Sequence, residues 1–238
     1  RVLVSKERKA AAERVNQGGG PLTHKEIVLI LIGLMAGMFL SALDQSVVGS
    51  AMRTIADDLK GLELQAWVTT AYLITSTIST PIYGKLGDIF GRRKLFLAAI
   101  LIFVAGSALS ALSGSMLELA GWRAIQGIGA GGLFSLAITA LSDIIPPRER
   151  ARYQGYTMAV FATSSVLGPV VGGLFADAGM ILGIEGWKWI FLINVPIGAV
   201  AVFLVWKFLH VPHTPVKHRI DWFGAATIIM AEIGRAHV

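Results

Sequence analysis

The sequence predicts an all-α polytopic membrane protein: six transmembrane helices forming one lobe, then a linker and the start of a seventh. Three observations predict it. Of 238 residues, 54% are hydrophobic and only 15% charged, and mean hydropathy is +0.66, whereas an ordinary soluble domain is about 25% charged. Six stretches, residues 26–52, 65–83, 94–113, 117–141, 153–176 and 188–209, are long and apolar enough for spanning helices, which take about 20 residues each. Basic residues alternate in density from one intervening loop to the next.

That alternation sets the orientation, because cytoplasmic loops gather Lys and Arg. With the N-terminus inside, sixteen basic residues fall on the cytoplasmic side: Arg1, Lys6, Arg8, Lys9, Arg14 and Lys25 in the tail, Lys85, Arg92, Arg93 and Lys94 after the second span, Arg148, Arg150 and Arg152 after the fourth, and Lys207, Lys217 and Arg219 after the sixth. Only Arg53, Lys60 and Lys188 fall outside. The basic pI of about 9.8 therefore belongs to membrane topology and not to a nucleic-acid face. The absence of cysteine excludes a disulfide framework and thiolate metal sites.

Residues 1–25 form a polar, basic cytoplasmic tail without the apolar core of a secretory signal. The first span carries Asp44 in FLSALDQSVV, the only acidic residue deep in a complete span. Between the second and third spans, Tyr83–Phe96 reads YGKLGDIFGRRKLF; Gly84, Gly87 and Gly91 are expected to break and tighten a short cytoplasmic turn, with Asp88 favouring the N-terminus of the next helix and Arg92, Arg93 and Lys94 at the inner surface. A plain basic loop needs neither the glycines nor the aspartate. The four-residue connection Ser113–Met116 makes the third and fourth helices antiparallel neighbours.

In the fourth span, RAIQGIGAGG has the Gly127-x-Gly129-x-x-Gly132 spacing of a dinucleotide-binding turn. It follows no strand and lies inside an apolar helix, so it lacks the context that would hold a pyrophosphate. Gly127 and Gly131, at i and i+4, instead make a flat stripe for close helix packing. Arg123, four residues before Gly127, projects from the same stripe and needs a partner, since a lipid-facing arginine is costly. At about 1.5 Å per residue, Arg123 and Asp44 lie at similar depth, roughly 9 and 12 Å from the outer ends of their helices. The pair is either a structural salt bridge or a proton-exchanging site, with Asp44 protonation decided by desolvation against the arginine charge. Glu118, at the outer mouth of this helix, reads as interfacial. In the fifth span, Gly168, Pro169, Gly172 and Gly173 of VLGPVVGG combine a proline kink with room for close neighbours. Residues 210–221 form a proline-containing cytoplasmic linker and 222–231 open a seventh helix, while 232–238, EIGRAHV, interrupt it and are expected to be foreign to the protein.

Four blocks together resemble a known family. Gly84, Lys85, Leu86, Gly87, Asp88, Gly91, Arg92, Arg93 and Lys94 are similar to the signature between helices two and three of the major facilitator superfamily, and LDQSVV, RAIQGIGAGG and GPVVGG agree in order and position, the last resembling the antiporter motif. With WKWIFLINVPIG opening the sixth helix, residues 26–231 look like the fourteen-helix drug:proton antiporter branch. The resemblance implies the N-terminal six-helix lobe of a rocker-switch transporter, truncated before its C-terminal lobe. It implies proton coupling at Asp44 and Arg123, and an Asp88 loop acting as a cytoplasmic latch against that second lobe. Its partners would be a hydrophobic or cationic small molecule, protons and the lipid bilayer of the plasma membrane, with no cofactor beyond the proton gradient. Export of a lipid or siderophore, or a non-transporting sensor or scaffold, are the alternatives. Where the family has A-L-P at the end of its first helix, this chain has Ala51, Met52 and Arg53.

Overall fold

The computed structural model describes residues 24–145 and 150–209. Along the chain run α1 (His24–Asp58), a 3-10 turn (Leu62–Leu64), α2 (Gln65–Phe90), α3 (Arg92–Ser110), α4 (Met116–Ile144), α5 (Arg150–Asp177), a hairpin of β1 (Met180–Ile181) and β2 (Ile184–Glu185), α6 (Gly186–Leu192) and α7 (Asn194–Phe208). The last two helices together make the sixth span. The linker 210–221, the seventh-helix start 222–231 and the tail 232–238 lie outside the described residues, as do residues 1–23.

Five of the six spans among the described residues are apolar and long enough to cross a bilayer; α2 is the exception, long enough but rich in Ser and Thr. Its hydroxyls turn back onto its own backbone: Thr75 Oγ1 donates to the Ala71 carbonyl at 2.9 Å, Ser79 Oγ to Ser76 at 3.1 Å and Thr80 Oγ1 to Ser76 at 2.8 Å. That satisfies these hydroxyls within the helix, which is what lipid demands.

The Tyr83–Phe90 segment differs from the expected turn. It is helical, and Gly84, Gly87 and Asp88 all lie within α2. The glycines there make room: a Cβ at Gly87 would strike Leu136 of α4, and one at Gly84 would crowd Ser135. Only Gly91, with φ of 90°, breaks the chain between α2 and α3. Asp88 thus sits in the last turn of α2 instead of heading α3. At the other end of the lobe, Ser115 caps α4 by accepting from the Glu118 amide at 3.2 Å, while Glu118 accepts from the Gly114 amide at 3.0 Å; this reciprocal pairing gives Glu118 a local capping role. The hairpin turn, which sequence patterning did not reveal, has positive φ at both Leu182 and Gly183, as a two-residue turn between twisted strands requires. With Arg53 in place of a proline, α1 continues unbroken to Asp58.

Glycine sets the helix spacing. A Cβ at Gly127 would collide with Thr75 and the Tyr72 carbonyl of α2, and one at Gly131 with Ser79 and the Ser76 carbonyl. On the adjacent face of α4, Gly129 meets the backbone of Ala99 and Phe103 in α3. Gly168 and Gly172 of α5 do the same against Ser46, Val47 and Ser50 of α1. Gly173 departs from the expected packing role, since a Cβ there would meet nothing within 4 Å. Pro169 lies within the helical run of α5, and the neighbouring Gly168 carbonyl accepts from Ser50 Oγ at 3.4 Å.

The buried interior forms two apolar clusters. One gathers Leu34, Met38, Phe96, Ile100, Phe103, Leu133, Leu136 and Val205; the other gathers Val47, Ile55, Val68, Met116, Leu119, Trp187, Ile190 and Phe191. On α1, α3, α4 and the sixth span, one short polar interval separates them along the chain. Those intervals hold Ser41, Ser107, Arg123 with Gln126, and Asn194, and Asp44 lies just past the change on α1, between Leu43 and Val47 of the second cluster.

Candidate functional site: a buried polar layer

Asp44 and Arg123, from α1 and α4, meet directly. Arg123 Nη1 lies 2.5 Å from Asp44 Oδ2, with the side chains 1% and 0% exposed respectively. The other carboxylate oxygen accepts from Gln126 Nε2 at 2.9 Å and from Asn194 Nδ2 at 2.7 Å. Arg123 Nη1 also donates to Gln126 Oε1 at 2.8 Å, an i,i+3 pair on one face of α4. The guanidinium carbon lies 4.1 Å from the Tyr72 ring centroid, so the cation stacks on an aromatic face; the Tyr72 hydroxyl is 2.9 Å from Ser41 Oγ. Beyond Asn194, Ser107 Oγ is 2.9 Å from its Nδ2 and donates to the Phe191 carbonyl at 2.9 Å.

Every hydrogen bond at Asp44 is received. The carboxylate has three donors and one neighbouring cation, an arrangement that offsets much of the cost of holding charge away from water. A proton delivered to Asp44 would need an acceptor, so protonation has to rearrange the layer. Two buried polar atoms of this layer, Arg123 Nε and Asn194 Oδ1, have no hydrogen-bond partner among the described residues.

A second ionic group joins the ends of α2, α3 and α4 beside Gly91. Arg92 pairs with the Asp143 carboxylate and donates to the Thr139 carbonyl, both in α4, and its Nη2 is 3.3 Å from Asp88 Oδ1 in α2. Arg93 donates to the Trp206 carbonyl of α7, one of the four carbonyls that a helix C-terminus leaves without an internal donor. Asp88 and Asp143 are 52% and 42% exposed, so solvent screens this group as it cannot screen Asp44.

Reading the sequence missed Gln126, Asn194, Ser107 and Asp143. Gln126 had a signal, its i+3 spacing from an intramembrane arginine. Asn194 had one as well, an amide inside an apolar span just before Pro196. Ser107 had none, because a serine in a span satisfies itself on its own helix as readily as across to another.

Residues 34–234 match the model of the Major Facilitator Superfamily. The chain belongs to that superfamily. It is 40% identical over 202 residues to multidrug resistance protein 3 of Bacillus subtilis strain 168, covering 85% of this chain and 38% of the relative. It is 39% identical over 205 residues to the multidrug transporter protein MdtP of the same organism, covering 86% and 37%. The efflux pump dotC of Dothistroma septosporum is 40% identical over 208 residues, with 85% and 34% covered. The chain thus spans well under half the length of these relatives. Among solved structures, the proton:xylose symporter XylE superposes with a TM-score of 0.70 at 19% identity, covering 82% of this chain and 46% of that one. The human organic anion transporter MFSD10 gives 0.62 at 19% identity, covering 84% and 52%. These structures share the fold: this chain is a six-helix lobe of a major facilitator membrane protein.

Proposed function

We propose that the chain is the N-terminal lobe of a proton-coupled antiporter that exports hydrophobic or cationic small molecules across the plasma membrane, with its N-terminus in the cytoplasm. One observation carries the reading: a carboxylate and an arginine, both sealed from solvent, stand at the centre of a lobe built to sit in lipid. Intramembrane ionisable residues mark ion or proton pathways, and the multidrug and efflux names of the relatives support export. In this reading Asp44 takes up and releases the proton, Arg123 supplies the charge it responds to, and the proton gradient is the energy source, with no cofactor. The Arg92 group, with Asp88 and Asp143, is a cytoplasmic latch that closes against the second lobe.

The test uses inverted membrane vesicles carrying the full-length transporter and a fluorescent hydrophobic cation. Uptake should rise with an imposed pH gradient and collapse when a protonophore dissipates it. Asp44→Asn should abolish the gradient dependence; full coupling in that variant would overturn the assignment of Asp44. Transport of a lipid or siderophore, but not of the dye, would move the substrate class and keep the mechanism. Absence of gradient-driven transport for every solute would favour a sensor or scaffold.

A further inference from the structure

Asn194, on the sixth span, bridges α1 and α3: its Nδ2 lies between Asp44 Oδ1, at 2.7 Å, and Ser107 Oγ, at 2.9 Å. Ser107 in turn spends its only hydrogen on the Phe191 carbonyl, at 2.9 Å. Phe191 is next to last in α6, and between it and Asn194 the sixth span changes from α6 to α7. This junction is intrinsically weak, because Pro196 has no N–H to give to the Leu192 carbonyl four residues earlier.

The chain of bonds suits only one protonation state of Asp44. A proton on Oδ1 makes that oxygen a donor facing two amide donors, Gln126 Nε2 and Asn194 Nδ2. Gln126 cannot turn around cheaply, since its Oε1 already accepts from Arg123. Asn194 can, because its Oδ1 is buried without a partner among the described residues. A half-turn of its amide brings Oδ1 to where Nδ2 stood, there to accept from the protonated carboxyl. The same half-turn sets an acceptor against Ser107 Oγ, whose hydrogen then swings to Asn194 and leaves the Phe191 carbonyl. The other titratable groups at Asp44 are Arg123 from α4 and Tyr72 from α2. The neighbours from α3 and the sixth span are the uncharged Ser107 and Asn194, and α5 has no titratable residue between Tyr156 and Asp177.

We propose that Asn194 and Ser107 are positioning residues that pass the protonation state of Asp44 to the α6–α7 junction, which is held in the deprotonated state and released in the protonated one. The proposal rests on Asp44 being the proton-exchanging group.

Hydrogen–deuterium exchange of the full-length transporter, read on the peptide covering residues 191–197 at one fixed pH, tests it. Asp44→Asn presents a neutral amide in place of the protonated carboxyl, and Ser107→Ala removes the bond to Phe191 directly. Each should speed exchange in that peptide by roughly three- to tenfold, the value of one hydrogen bond, and the double variant should exchange no faster than either single one. No change in Asp44→Asn, or rates that multiply in the double variant, would overturn the link. If Asp44→Asn does not fold, the wild type is compared above and below the pH midpoint of transport after correction for intrinsic exchange. The protonation-dependent increment should be present there and missing in Ser107→Ala; an equal increment in both overturns the proposal. Gradient-driven dye uptake by Asp44→Asn is measured on the same preparations. Retained uptake sinks the proton-exchange reading itself, whereas abolished uptake with an unchanged peptide sinks only the link through Asn194.

Discussion

The two arginine–aspartate groups of this lobe use the same side chains in opposite settings. Arg123 and Asp44 are sealed between apolar clusters and hold each other at 2.5 Å with two amides in support. Arg92 reaches Asp143 and Asp88 where about half of each carboxylate remains exposed. A buried charge has no substitute for its partner, whereas an exposed one can fall back on water. The first group therefore holds a charge pair that the apolar interior would reject if either partner stood alone; the second tunes how firmly three helix ends are held.

The comparison can be broken most forcefully at Arg123. Arg123→Gln leaves the Asp44 carboxylate without a cation and should destabilise the lobe by about 3–5 kcal/mol, read as loss of monodisperse protein in detergent on heating. Adding Asp44→Asn removes the orphaned charge and should restore much of that stability while transport stays uncoupled from the pH gradient; a double variant no more stable than Arg123→Gln would mean the charges do not act as a pair. Next in size is Gly131→Val. The added side chain meets the α2 backbone and should cost about 1–3 kcal/mol or more, while Gly173→Ala, in open space, should raise stability by up to about 1 kcal/mol through helix propensity. Equal effects at the two glycines would remove the packing argument. At the exposed group, Arg92→Lys should cost only about 1 kcal/mol or less, and raising salt from low to molar concentration should shrink that difference while leaving the Arg123→Gln deficit intact. Smallest of all, Arg53→Ala breaks an i,i+4 pair with Asp57 on the exposed end of α1 and should leave the melting temperature unchanged, with a measurable drop pointing to a contact beyond that pair.

Much of this contrast was legible in the residues. Asp44 and Arg123 are charges in spans that are otherwise apolar, and Asp44, as the only acidic residue deep in a complete span and at a similar depth, was the partner to expect. The helical spans followed from apolar length, with their ends placed several residues short at Met52 and Leu141 because polar residues such as Asp57, Asp58 and Asp143 continue a helix past the apolar region. The Tyr83–Phe90 stretch read as a turn because glycine lowers helix propensity. It is helical because α4 presses close enough at Ser135 and Leu136 that glycine is what fits. Asn194 and Ser107 went unseen for a different reason: neutral side chains disclose no preference for a partner until two helices are brought together. Asp143 reads as a boundary residue until Arg92 arrives from another helix.

The hydroxyl-bearing helix α2 has a consequence of its own. Its Thr75, Ser76, Ser79 and Thr80 side chains all donate to carbonyls three or four residues back along the same helix. The bonds travel with the helix and engage nothing beyond it. On this face a change of neighbour strands no hydroxyl donor, so what fastens α2 to α4 there is shape, the seating of Thr75 and Ser79 against Gly127 and Gly131, and not hydrogen bonding between the helices.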